Sequence, residues 1–189
     1  GKYWVADIPR FNGNRVLFRQ LWINGEKAIR ARSVSDFEEM NRILSNDKKN
    51  EILWIPKKSV EGLTKSRSLE LVIHQMWAIA NLRVRDIIIQ GDSAGLKFHN
   101  PESRIQFEHP WPQPMVKEGF NSAFYFTNSL ELLNEPGEWF YDSDLCKLYY
   151  MPRKGENMKT AEVTVPVLET LVIVEGTLDR PVEHIRFNG

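Results

Sequence analysis

Residues 130–189, LELLNEPGEWFYDSDLCKLYYMPRKGENMKTAEVTVPVLETLVIVEGTLDRPVEHIRFNG, decide how this chain is read. The stretch has two halves. In the first, two aromatic runs, Trp139-Phe140-Tyr141 and Leu148-Tyr149-Tyr150, flank a turn rich in Asp and Ser, which predicts a β-hairpin. In the second, LETLVIVEG and VEHIRFNG alternate apolar and polar residues, end at glycine and lie about a dozen residues apart around TLDRP. That spacing matches the stacked rungs of a right-handed parallel β-helix. A plain hairpin closing a sandwich is the competing reading on periodicity alone. Two rungs cannot bury a β-helix core by themselves, so the expectation is a piece of a larger architecture.

Composition narrows the rest. The chain has 189 residues, 42% of them apolar and 26% charged, which suits one globular domain or a domain plus part of another. Its 25 basic and 25 acidic side chains cancel, so it lacks the basic excess expected of a nucleic-acid partner. No apolar run reaches the roughly 18–20 residues of a membrane span. The single cysteine, Cys146, cannot form an internal disulfide, and no spacing of Cys or His suggests a metal site. No cofactor motif appears: there is no phosphate loop and no nucleophile elbow.

Along the chain, short β-type runs alternate with turn signals. The cleanest is VLFRQLWINGEKAIRARS, residues 16–33, where Asn24-Gly25 is the preferred pair for a two-residue type I′ turn. That turn sets Ile23 opposite Glu26, Trp22 opposite Lys27, Leu21 opposite Ala28 and Arg19 opposite Arg30. Leu21 and Ala28 then share a face with the arginines, and Phe18, Trp22 and Ile29 share the other. Two facing arginines repel, so a carboxylate or another anion is expected between them. The segment SVSDFEEMNRILSN reads as a helix capped by Ser35 or Asp36, with Phe37, Met40, Ile43 and Leu44 on one stripe. EILWIP reads as a strand, as do residues 69–79 and 81–90. GLKFHN and RIQFEH follow as short strands, then the proline-rich loop HPWPQP, then AFYFTNSLELL as a strand running into a short helix, and EVTVPV as a late strand. The expected architecture is mainly β: an antiparallel sandwich or irregular barrel with one or two short helices.

The stretch LELLNEPGEWFYDSDLCKLYYMPRKGENMKTAEVTVP resembles the insertion segment of bacterial right-handed parallel β-helix glycoside hydrolases of the family 141 type. The matching positions are Pro136, Gly137, Glu138, Trp139, Tyr141, Asp142, Leu148, Tyr149, Tyr150 and Pro152. Phe18-Arg19-Gln20-Leu21, Asn24-Gly25, Ala28 and Arg30-Ala31-Arg32 resemble the opening of that segment, and Trp77 and Arg83 resemble its middle more loosely. The resemblance implies two units: a β-rich accessory domain over residues 2–166, and the start of a truncated β-helix over 167–189. It implies carbohydrate and the remainder of a parent β-helix as partners, with a secreted or periplasmic location. The family's catalytic carboxylates are expected on the β-helix, at positions this sequence does not contain, so no catalytic residue is carried over.

Glycoside hydrolysis needs two carboxylates, roughly 5 Å apart for retention and about 6.5–9.5 Å for inversion. Glu135, Glu138, Asp142 and Asp144 crowd one hairpin, where Asp142 and Asp144 are expected to serve the turn instead. The six tryptophans, Trp4, Trp22, Trp54, Trp77, Trp111 and Trp139, are many for this length, and an exposed indole suits the apolar face of a sugar. Core packing is expected to claim four or five of them, with Trp111, set between prolines, the exposed one. His74, Trp77 and Arg83 form a second group able to touch substrate. The main expectation is an accessory domain that is inactive alone. A free-standing carbohydrate-binding module is the alternative, and a small complete hydrolase using the hairpin carboxylates is a third reading.

Overall fold

The computed structural model describes residues 3–63, 66, 68–109, 112–168 and 170–188. In chain order the strands are β1 (Trp4–Asp7), β2 (Trp22–Ile23), β3 (Glu26–Lys27), β4 (Ile29–Arg30), β5 (Asn41–Arg42), β6 (Ser45–Asp47), β7 (Ile52–Pro56), β8 (Glu70–His74), β9 (Ile79–Gln90) and β10 (Ser93–Phe98). Helix α1 (Glu102–Glu108) follows, then β11 (Ala123–Thr127), β12 (Glu138–Asp142), β13 (Lys147–Tyr150) and β14 (Val163–Thr164). They form three sheets, ordered β1-β13-β12-β4, β5-β11-β8-β9-β10-β7-β6 and β14-β2-β3, with every pair antiparallel except β12 against β4.

The aromatic hairpin forms as its composition suggests. β12 and β13 pair from Trp139↔Tyr150 to Asp142↔Lys147, and Asp142 Oδ1 closes the turn by accepting from the amides of Asp144 and Leu145, each at 3.0 Å. Gly137 enters the hairpin at φ +89°, where a Cβ would lie 2.8 Å from Arg153 Nε. Trp139 is fully buried, stacked on Phe18 at 5.4 Å, with the Arg30 guanidinium 5.7 Å from its ring centroid. Around it, Val16, Leu21, Ile23, Ala28, Tyr141, Leu148 and Tyr150 complete the smaller of two apolar cores.

The Asn24-Gly25 turn adopts φ of +51° and +76°, as a type I′ turn requires, and the pairs Trp22↔Lys27 and Ile23↔Glu26 are those expected. Ala28 N continues the ladder by donating to Leu21 O at 2.8 Å. Phe18 departs from expectation. The chain bends at Arg19, so Phe18 joins Leu21 and Ala28 in the core instead of sharing a face with Trp22 and Ile29.

The larger core fills one side of the seven-stranded sheet, where Leu71, Ile73, Leu82, Val84, Leu96, Phe98, Phe124 and Phe126 meet. β9 joins its two halves, pairing with β8 through Ile79–Arg83 and with β10 beyond. A bulge opposite Lys97/Phe98 leaves Arg85 unmatched, so the inward set switches from Leu82 and Val84 to Ile87. The outer strands of this sheet are consecutive in sequence: β5 lies at one edge, β6 at the other. Between them Ile43 N donates to Ser122 O and Leu44 N to Trp54 O, at 3.1 and 2.7 Å. This strap draws the edges together without closing a barrel, and the architecture is several antiparallel sheets.

That strap replaces the helix expected over residues 33–46. Asp36 does cap, accepting from Glu38 N at 2.9 Å, but only a 3₁₀ turn, Phe37–Glu39, follows. Only Met40 and Ile43 of the expected stripe are buried, while Phe37 and Leu44 are exposed. Two sheet edges offer these residues strand partners, and an isolated helix this short is marginal in water. RIQFEH fails the opposite way. All of it but His109 lies in α1, whose buried face is Ser103, Gln106 and Phe107, so the alternation of Ile105 and Phe107 was coincidental. The break expected near residue 80 falls earlier, in a turn closed by Gln75 N on Ala78 O at 2.8 Å.

Beyond β14 the expected rungs are not present as strands. Among the described residues after Thr164 no strand occurs, and Leu171, Ile173 and Phe187 are 84, 69 and 72% exposed. TLDRP does turn, with Thr177 and Arg180 exchanging backbone hydrogen bonds at 3.0 and 3.2 Å. Parallel rungs need a neighbouring strand for their amides, and among the described residues no strand pairs with this stretch.

The tryptophans also correct the expectation. Of the five described, only Trp139 is buried; Trp22 and Trp54 are half-buried, Trp4 and Trp77 exposed, and Trp111 lies outside the described residues.

Candidate functional site

The face of β11, β8 and β9 opposite the core carries the polar and aromatic residues that the core rejects. Side chains alternate along each strand, and the register stacks them in rows. One row is Thr127–Glu70–Arg83, the next Tyr125–Val72–Asn81, and a third contains His74–Ile79. Residues 19–32 lie over this face and bury Glu70 and Val72.

Glu70 is the carboxylate expected between the facing arginines. Arg30 donates to it through both terminal nitrogens at 2.9 Å, and Arg19 Nη2 donates at 2.5 Å. Burial pulls the Arg30 guanidinium below its usual range, against the raising effect of Glu70. Removing Glu70 would leave the buried Arg30 charge uncompensated, which costs about 3–5 kcal/mol.

The group His74, Trp77 and Arg83 is split by the register. His74 and Arg83 share this face but sit four residues apart along the ladder, roughly 13 Å at 3.3 Å per residue. Arg83 forks onto Glu102 of α1 through Nε and Nη2 and also donates to Asn100 O at 3.2 Å. The hydrogen bond to Glu102 holds Arg83 above its ordinary value and Glu102 below the usual carboxylate range. At the far end His74 meets Phe37 edge-on at 5.3 Å and Tyr125 at 6.3 Å, while Arg42 covers Phe37 at 4.8 Å. Trp77 stands in the adjoining turn, 68% exposed.

Two cavities flank Glu70. One, of about 710 Å³, lies toward Arg83, Glu102, His99, Asn128 and Tyr141. Arg19, Arg30 and Arg83 there balance Glu70, Glu102 and Asp144. The other, a cleft of about 610 Å³, runs over the Tyr125–Val72–Asn81 row between Gln20 and Thr127. Arg19, Lys27, Arg30 and Arg32 line it, and no Asp or Glu does among the described residues. Sequence reasoning located two of these cations and missed the cleft, because its floor comes from strands 40 and more residues away.

The hairpin carboxylates are engaged in structure. Glu138 is buried and accepts from the amides of Asn134 and Glu135 at 3.1 Å, Asp142 closes its turn, and Asp144 pairs with Arg15 at 3.0 Å. Among the described residues no three His, Cys, Asp or Glu gather as a metal-ion site, and no helix is long and apolar enough to cross a membrane.

The profile of the GH141 insertion domain matches residues 1–153. A solved structure described as a glycoside hydrolase superposes with a TM-score of 0.89 at 57% identity over 96% of this chain. The match occupies 32% of that protein, so the chain spans about a third of its length. No curated protein matches the chain. A profile covering most of the sequence, together with a fold shared at this identity, assigns the chain to the GH141 insertion domain family.

Proposed function

We propose that this chain is the accessory insertion domain of a carbohydrate-active parallel β-helix glycoside hydrolase. It supports or walls the substrate groove and does not catalyse hydrolysis alone. The observation that carries this reading is the near-complete correspondence of the chain to one third of a longer glycoside hydrolase. The engagement of Glu138, Asp142 and Asp144 in turns and an ion pair supports it, since these contacts give each carboxylate a structural role at the hairpin.

On this reading residues 2–166 are the accessory unit, and 167–189 lead into the β-helix of the parent enzyme. His74, Trp77, Arg83 and Trp111 are the side chains proposed to meet the glycan, and the parent acts in a secreted or periplasmic setting. The exposed Trp77, in the turn that follows His74, also suits a free-standing carbohydrate-binding module.

Purified chain incubated with a panel of aryl glycosides is expected to release no aglycone. Hydrolysis lost on Glu138→Gln or Asp142→Asn would contradict the accessory reading. In a longer glycoside hydrolase carrying the domain, Trp77→Ala is expected to raise KM with little change in kcat. Tight glycan binding by the isolated chain, with no kinetic effect of Trp77→Ala in the longer enzyme, would favour the binding-module reading.

A further inference from the structure

We propose that the cleft lined by Arg19, Lys27, Arg30 and Arg32, on the sheet face opposite the core, binds the oxyanion of an acidic saccharide. The inference rests on the glycan-facing reading above and names the class of glycan.

Charge segregation is the first argument. The chain is neutral overall, with 25 cations and 25 anions, yet this cleft of about 610 Å³ gathers four cations and no carboxylate among its described lining residues. Counting Glu70, which is committed to Arg19 and Arg30 behind the cleft, still leaves an excess of three positive charges. The cavity on the other side of Glu70 holds as many acids as bases, so cationic lining is not a general property of this face.

The second argument is that two of the cations are uncommitted. Arg19 and Arg30 already form ion pairs with Glu70, but neither Lys27 nor Arg32 is paired with a carboxylate among the described residues. Neighbouring Glu26 turns instead to Arg153 at 3.3 Å. Lys27 lies 5.9 Å over the Trp22 ring, which leaves its ammonium protons for another acceptor. Arg32 Nε is buried and meets no hydrogen-bond partner. The rest of the Arg32 guanidinium lines the cleft, where its terminal nitrogens carry no carboxylate partner among the described residues. The planar fork of arginine matches a carboxylate or sulfate ester in two parallel hydrogen bonds.

The third argument concerns the sugar ring. Tyr125 lies in the cleft and also contacts His74, which meets Phe37. A ring whose oxyanion sits at Arg32 and Lys27 would therefore have aromatic surface beside it, with Asn81, Gln20 and Thr127 as hydroxyl partners.

Calorimetric titration of the 189-residue chain tests this with a tetragalacturonate, its full methyl ester and a sulfated galactose tetrasaccharide. One acidic probe should bind at least tenfold more tightly than the ester, since a hydrogen bond to a charged group is worth about tenfold or more. The two acidic arms distinguish a carboxylate from a sulfate ester. Arg32→Gln and the exposed Lys27→Ala should each weaken that binding about tenfold with the melting temperature held, and leave the ester unaffected. Equal binding of acid and ester, equal binding of free sulfate, or affinity unchanged in both variants would overturn the proposal. Absence of any saccharide binding would overturn it too, while leaving the supporting role intact.

Discussion

The hairpin of β12 and β13 and the stretch that follows β14 are both rich in apolar residues, yet only the hairpin is packed. β12 has β13 on one side and β4 on the other, β13 has β1 as well, and Trp139 is sealed beneath Phe18. The later stretch has comparable strand-forming composition, but Leu171, Leu178 and Phe187 face solvent. Fully burying a side chain of this size is worth about 1.5–3 kcal/mol, so leaving several exposed forgoes a large stabilisation. Strand propensity describes a surface suited to a sheet, and only a partner makes it one.

Mutations should separate the two regions by size of effect. Trp139→Ala removes the largest fully buried side chain and should cost about 3–5 kcal/mol in urea denaturation. Gly137→Ala places a Cβ at positive φ against Arg153 and should cost about 1–3 kcal/mol by the same measurement. Asp142→Ala removes the acceptor of two turn amides and should cost about 1 kcal/mol, seen as a lower melting temperature. Leu178→Ser, in the exposed stretch, should shift stability by no more than about 0.5 kcal/mol. A loss at Leu178 matching that at Trp139 would erase the distinction between the regions.

The legible parts of this fold were those set by short-range chemistry. Asn24-Gly25 dictated its turn and register because both residues tolerate positive φ. The repulsion of Arg19 and Arg30 announced a carboxylate, although nothing local could identify it as Glu70, 40 residues beyond Arg30. Tertiary partners hid the rest. Asp36 capped correctly, but the edges of β11 and β7 captured Asn41–Arg42 and Ser45–Asp47 as strands. The bulge at Arg85 broke a parity that the run Ile87-Ile88-Ile89 could not reveal. His74 and Arg83 were grouped by sequence proximity, whereas an antiparallel ladder carries them to opposite ends of one face. The cationic cleft needed four separate segments brought together, so only the fold could expose it.

The central proposal is that the chain is one module of a longer glycoside hydrolase, its last residues leading into the scaffold it joins. Residue-resolved hydrogen exchange tests this most directly, on the 189-residue chain alone and on a longer glycoside hydrolase carrying it. The account predicts that β12 and β13 amides are protected in both proteins. Amides of residues 170–188 should exchange within seconds in the chain alone and gain at least a hundredfold protection in the longer protein. Equally fast exchange of that stretch in both proteins would contradict the account.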